Sequence, residues 1–291
     1  MSPNKTYYSA TENDNKYKVL KIVLCCLLAT FLVLGSVFTY IYASKQIKQN
    51  QIDTELSVEK AKVFFNVLVC VIDKDNDNLD PKFTLVGIDG QSQTITVGEI
   101  APGEKIVGKE KELTAKEHFE FGGARYLRDA IVNHYGITVD KYISATLSEV
   151  ETFVDRLGGV DVDIKEQMQF SNKEGNLITN LVKGKQKLNG NQYCQFLRYD
   201  NWESGAQKRE KREELLVSLL NEHIEELDSE TILKLYKSVA NKIDTDISIV
   251  EMNDFSIKFS GFLDEEKPAV CADIDYSDSD IARAQIKKIY E

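Results

Sequence analysis

The chain has 291 residues, enough for one large domain or two small ones beside a membrane segment. Hydrophobic residues make up 42% and charged residues 29%, the balance of a folded rather than a disordered chain. Its net charge of −11 argues against a nucleic-acid binder, which needs a basic face to neutralise phosphates.

In chain order, the first strong signal is an uncharged apolar run over residues 22–44 (IVLCCLLATFLVLGSVFTYIYAS). As a helix it would extend on the order of 35 Å, enough to cross a bilayer. A cleaved signal peptide has a shorter apolar core and an A-x-A-like site, and neither is found here. Tyr40 and Tyr42 suit an interfacial aromatic anchor at the outer end. Residues 1–21 then read as a cytoplasmic tail, residues 22–44 as one transmembrane helix and residues 45–61 as a polar stalk, with everything after the helix outside the cytoplasm.

At Lys62 the texture changes. VFFNVLVCVID (63–73) is a continuous β-branched and aromatic run, expected of a central strand buried on both faces. Residues 73–81 form a polar loop, FTLVGID (83–89) a second strand and TITVGEI (94–100) a third. Residues 115–135 carry apolar side chains at helical spacing, interrupted by Gly122 and Gly123. A strand over 140–146, a helix over 147–157 ended by Gly158 and Gly159, and an alternating strand VDVDI (160–164) follow. NLITNLV (176–182) and QYCQFLRYD (192–200) read as further β-structure. An amphipathic helix is expected over 207–227, with Leu215, Leu216, Leu219, Leu220 and Ile224 on one face, and another from Glu230. Strands interleaved with helices predict an α/β, α-β-α layered domain around a central mixed sheet over residues 62–263. Residues 264–291 read as a tail, its acidic part solvated and leading into a short final helix.

Five cysteines include Cys25 and Cys26 in the apolar run, and no CxxC or Cys/His pairing at zinc spacing occurs. Cys70 and Cys194 sit in apolar surroundings as small core residues. His118, His134 and His223 are scattered and lie near no serine or cysteine motif, which gives a hydrolytic triad little support. GKQ at 184–186 is not a phosphate loop. Only seven arginines occur, and Arg198, Arg209 and Arg212 lie within fifteen residues of one another. Arginine's planar fork meets two phosphate oxygens at once, which lysine cannot do. Arg209 and Arg212, three apart on a helix, can point to one ligand.

From Phe64 to Phe262 the chain resembles the LytR-CpsA-Psr family of cell-envelope glycopolymer transferases. FNVLVCVID (65–73) is similar to the family's first strand. YGITVDKYISATLSEVETFVDRLGGVDVDI (135–164) is similar to its segment ending in GGVDV, and GKQKLNGNQYCQFLRYD (184–200) to its LNG segment ending in arginine. NKIDTDISIVEM (241–252) resembles its late TD-x-S-x-x-E segment.

The resemblance implies a phosphotransferase that moves a glycopolymer from a polyprenyl-pyrophosphate carrier at the membrane to peptidoglycan or another wall acceptor. It places Arg198 and Arg209 as catalytic residues, and Arg198, Arg209 and Arg212 on the pyrophosphate. Asp73 and a displaced Asp80 would hold Mg2+, and an apolar cavity opening near Arg198 would hold the lipid. The chain also departs from the family. The family's RSD-T motif reads Leu79-Asp80-Pro81 here and its PRD motif Ala101-Pro102-Gly103. Asp200 replaces the second arginine of an R-x-R pair, and Glu213 replaces a glutamine. Two readings follow: a transferase with a thinned-out site, or a non-catalytic envelope protein that binds a polyprenyl lipid or a wall polymer.

Overall fold

The structure is a computed structural model describing residues 64–76, 79–89, 92, 94–224, 229–259, 268–276 and 278–291. The segments read as cytoplasmic tail, transmembrane helix and stalk, residues 1–21, 22–44 and 45–61, lie outside the described residues. Among the described residues no helix is long and apolar enough to cross a membrane.

Six strands form the central sheet. They are β1 (Phe64–Ile72), β2 (Lys82–Asp89), β3 (Thr94–Ile100), β6 (Lys141–Thr146), β11 (Asp244–Thr245) and β12 (Ala269–Cys271), in the order β11-β6-β1-β2-β3-β12. The sheet is mixed: β1 pairs antiparallel with β2 but parallel with β6, and β3 parallel with β12. Three two-stranded sheets decorate it: β4 (Lys105–Val107) with β5 (Glu112–Thr114), β7 (Val160–Ile164) with β10 (Gly184–Leu188), and β8 (Met168–Ser171) with β9 (Leu177–Leu181).

Helices cover both faces, which explains why β1 is apolar apart from Asn66. Val67 and Val69 join a core with α2 (Leu147–Leu157), α3 (Gly190–Arg198), α4 (Gly205–His223) and α5 (Ser229–Val239). Leu68 and Cys70 join a second core with α1 (Ala115–Tyr135) and α7 (Ser279–Tyr290). A period of two on a strand sends alternate side chains to opposite faces, so both faces of β1 are apolar save for Asn66, whose Nδ2 is hydrogen-bonded. Among the described residues, one further helix, α6 (Ile249–Phe259), follows β11. The break foreseen in α1 is present: Gly123 has φ +69°, beyond easy reach of a residue with a Cβ.

Two expectations fail. Residues 190–198 form a helix rather than a strand. Asn189 accepts from the Gln192 N–H at 2.9 Å and Gln192 accepts in return from the Asn189 N–H at 3.1 Å, a capping box that starts α3. Tyr193, Cys194, Phe196 and Leu197 then fall on one buried face at helical spacing. The second failure is the tail. Residues 269–271 close the sheet as β12, and Tyr290 at the end of α7 is 1% exposed, donating its hydroxyl to the Leu85 carbonyl at 3.0 Å. The tail is part of the fold because its few aromatic and aliphatic residues (Tyr276, Ala282, Ile286, Tyr290) are spaced to pack, whatever its mean acidity.

Candidate functional site

Asp73 follows β1 directly, at the carboxyl end of the parallel β1–β6 pair, where sheets of this kind leave a crevice for ligands. Arg198 reaches it from the last turn of α3. That helix lies tight on α2: a Cβ at Gly190 would stand 2.1 Å from the Glu151 carbonyl oxygen. Arg198 meets Asp73 with two prongs, Nε to Oδ2 at 2.7 Å and Nη2 to Oδ1 at 3.2 Å. Asp73 accepts two further bonds, from Asn76 Nδ2 and the Asp75 N–H, each at 3.1 Å. Burial alone would raise Asp73, but the Arg198 hydrogen bond and charge outweigh it and hold the carboxyl below its ordinary value.

A second group of charges lies between β2, β3 and α4. Arg212 pairs with Glu99 through Nε at 2.6 Å and through Nη2 to the other carboxylate oxygen. The Glu99 N–H donates to Glu213 Oε1 at 2.6 Å. Lys82, 6% exposed, lies beside them and reaches the Asp80 carbonyl at 3.3 Å. Burial, with the Arg212 charge added, pushes Lys82 down to about 8. Burial pushes Glu213 up to about 7, against the Glu99 N–H that steadies its charged form. Lys208, one turn before Arg212, pairs with Asp200 and is lowered by burial and by Arg212.

Lys82, Glu99, Arg212 and Glu213 line a cavity of about 680 Å³, its open mouth included. The walls are Val69, Val71, Val97, Val150, Phe153 and Leu216, with Leu197, the neighbour of Arg198, among them. Thr84 and Tyr193 complete the lining. A pocket of mostly apolar side chains with a few buried charges suits an amphiphile with an ionic head.

The residues singled out in the sequence are not all in one place. Asp73 and Arg198 form one pair, and Arg212 lines the cavity with Glu99. Arg209 turns away and lies over the Tyr276 ring, 4.5 Å from its centroid, while the Tyr276 hydroxyl donates to the Glu99 carbonyl at 2.8 Å. Asp80 is exposed and ion-paired with Lys116 at 2.8 Å. As arranged, these residues do not fit Mg2+. Both Asp73 oxygens are taken up by four donors, Asp80 faces a lysine, and among the described residues no three His, Cys, Asp or Glu side chains are grouped to hold a metal ion. Sequence reasoning passed over Lys82, Glu99 and Lys208. Lys82 and Glu99 carried a legible signal, since each puts a charge where strand alternation demands an inward aliphatic residue.

The LytR_cpsA_psr family model matches residues 37–267, and the chain belongs to that family. A polyisoprenyl-teichoic acid–peptidoglycan teichoic acid transferase, TagU, of Enterococcus faecalis is 23% identical over 266 residues, 83% of each chain. Among solved structures, Bacillus subtilis TagV aligns with a TM-score of 0.59 at 16% identity, covering 79% of this chain and 96% of that one. A structure of TagT bound to LIIa-WTA aligns at 0.58 with 17% identity, covering 81% and 95%. The mixed α/β sandwich is thus the fold of these proteins.

Proposed function

We propose that this protein transfers a glycopolymer from a polyprenyl-pyrophosphate carrier to peptidoglycan or another hydroxyl-bearing wall acceptor. One observation carries the reading: a largely apolar cavity whose lining includes buried charge, Lys82 and Arg212 with Glu99 and Glu213. Family membership and the relatives' names support it. The apolar walls take the polyprenyl chain, and the pyrophosphate lies across Lys82, Arg198 and Arg212. An acceptor hydroxyl oxygen attacks the sugar-bearing phosphorus; the bond from that phosphorus to the bridging oxygen breaks, and polyprenyl phosphate leaves with the electron pair. Glu213, pushed up to about 7, is placed to take the acceptor's proton. Lys82 and the two arginines stabilise charge growing on the bridging oxygen. No step is routed through Mg2+, because Asp80 is paired with Lys116 and no three His, Cys, Asp or Glu side chains are grouped among the described residues.

The reading includes a membrane-anchored arrangement, with the apolar run 22–44 spanning and the domain outside the cytoplasm. A reporter that works only in the cytoplasm, fused after Glu291, stays inactive on this view. The main test uses the full chain in detergent with a polyprenyl-pyrophosphate glycan and an acceptor glycan. Release of polyprenyl monophosphate that depends on the acceptor is expected; a chain that neither binds the lipid nor releases it defeats the proposal. One observation favours a second reading, lipid or polymer binding without turnover: Arg198 and Arg212 are each engaged by a carboxylate, through two prongs. Saturable lipid binding with no release selects it.

A further inference from the structure

Helices α3 and α4 line two cavities. Leu197, Arg212, Glu213 and Leu216 face the charged cavity described above, while Phe196, Lys211, Glu214, Leu215 and Ser218 line a larger groove of about 1200 Å³, its open mouth included. The rest of that groove comes from residues 161–166, Met168, Gln207 on α4 and the loop after α3.

Its chemistry is unlike that of the first cavity. Aromatic rings form part of the wall: Trp202 stands edge-on to Tyr199 at 5.0 Å between centroids and lies 5.7 Å from Phe196. The indole is held in place, since Trp202 Nε1 donates to the Tyr199 carbonyl at 3.1 Å. Around the rings are uncharged hydrogen-bonding groups with capacity to spare. Asn201 uses its Nδ2 on the Gln169 carbonyl at 3.2 Å, and Gln207 uses its Oε1 on the Glu203 N–H at 2.8 Å; the other atom of each amide is left over. The Ser218 hydroxyl on α4 adds a donor and acceptor. The charge in the lining is acidic: Asp161, Asp163, Glu166, Glu203 and Glu214 against Lys165 and Lys211, five carboxylates and two lysines. Both lysines are already paired, Lys165 with Asp163 at 2.5 Å and Lys211 with Glu214 at 2.7 Å.

These features select a class of ligand. A pyrophosphate, a polyol-phosphate polymer or a uronic acid would meet net negative charge in the lining, whose two lysines are both ion-paired. A lipid tail would leave the amides and carboxylates of the rim unpaired at high cost. A pyranose presents C–H groups to an aromatic ring and hydroxyls to amides and carboxylates, and needs no counter-charge. We propose that this groove is a binding site for an uncharged glycan, with Trp202 and Tyr199 against the sugar faces and Asn201, Gln207 and Ser218 on the hydroxyls. The site is separate from the charged cavity and goes beyond the transferase reading.

Trp202 is the chain's one tryptophan, so its fluorescence reports this groove alone. The full chain in detergent is titrated with uncharged tetrasaccharides of N-acetylglucosamine, glucose and mannose, with an oligomeric glycerol phosphate as the anionic comparison, by emission and by calorimetry. At least one neutral tetrasaccharide should give a saturable emission change, and the glycerol phosphate none. Ser218→Leu, at an exposed position on α4 where it adds bulk to the groove without disturbing the core, should weaken that binding by about tenfold or more, one decade in affinity being ~1.4 kcal/mol. Tyr199→Ala should do likewise. Three outcomes overturn the proposal: no response to any neutral tetrasaccharide, unchanged affinity in Ser218→Leu, or glycerol phosphate binding at Trp202 more tightly than the sugars. None of the neutral probes carries lipid or phosphate, so the result stands apart from the fate of the transferase reading.

Discussion

The two faces of the central sheet are built from the same strands and used differently. On the side of α1 and α7, Leu68, Phe83, Leu85, Leu127, Ile131, Tyr135 and Tyr290 close together, and the polar Asn66 is tied to the Thr138 and Tyr290 carbonyls at 2.7 and 2.8 Å. On the side of α2, α3 and α4, the inward positions of β2 and β3 include Lys82 and Glu99, and α4 answers with Arg212 and Glu213 around an open cavity. Burying a charge pair costs more desolvation than a well-packed aliphatic pair of similar volume, and often returns less. Both faces bury an apolar core, and the second also holds charges that packing alone would have left out. Such an expense is consistent with binding an anion.

The largest expected effect tests the sealed face. Tyr290→Ala removes a fully buried ring and its hydrogen bond, and should cost roughly 3–5 kcal/mol in urea unfolding. Leu216→Ala on the cavity side should cost only about 1 kcal/mol, because that side chain is half-buried against open space. Equal costs would break the contrast between the faces. Next comes the ion pair. Arg212→Ala leaves Glu99 buried and unpaired, at about 3–5 kcal/mol. The double variant Arg212→Met with Glu99→Leu should be near neutral or more stable than the parent, yet lose polyprenyl-phosphate binding. If it binds normally, the buried charges are not there for the ligand.

Much of the fold was legible because strand β1 and the GGVDV stretch carry strong local patterns. The apolar run VFFNVLVCVID could only be a strand covered on both faces, and it is. Residues 190–198 misled because their aromatics suit strands, while the capping pair Asn189 and Gln192 that starts the helix is a weaker signal. The tail misled because its acidity masked a few well-spaced packing residues. At the site, Arg198 and Asp73 could be named from the chain, but that they face each other depends on a contact across 125 residues. Arg209 and Arg212 share a helix yet point apart, Arg209 to Tyr276 and Arg212 to Glu99, a difference set by tertiary partners and not by spacing.

Arg198 gives a smaller and more specific effect. To grip a phosphate it must give up Asp73, so its net gain is one charge-assisted bond exchanged for another. Arg198→Ala should weaken binding of a polyprenyl phosphate by about tenfold, and Arg198→Lys should recover part of that, since the charge returns without the fork. Arg283→Ala, exposed on α7, should bind as the parent does. A parent-like affinity in Arg198→Ala would confine the site to Lys82 and Arg212.

The smallest effect is a pH dependence whose sign separates binding from stability. Below about 7 Glu213 is protonated, and below about 8 Lys82 is charged, so the cavity is most cationic in mildly acidic solution. Raising the pH through 7 adds a negative charge and through 8 removes a positive one, and both steps should weaken binding of a polyprenyl phosphate, by a few-fold each at the low end of single charge contacts. Lys82→Met should abolish the upper step and Glu213→Gln the lower. Stability responds differently. Lys82 is lowered from its ordinary 10.5, so between about 8 and 10.5 the unfolded chain binds the proton more readily and the folded state gains stability as pH rises. Glu213 is raised from 4.5, and its favourable share is fully present below 4.5 and lost as pH climbs through about 7. Above pH 8, therefore, the Lys82 contribution makes the protein more stable while the ligand binds less well. Binding that falls only in step with unfolding would show that Lys82 does not face the ligand.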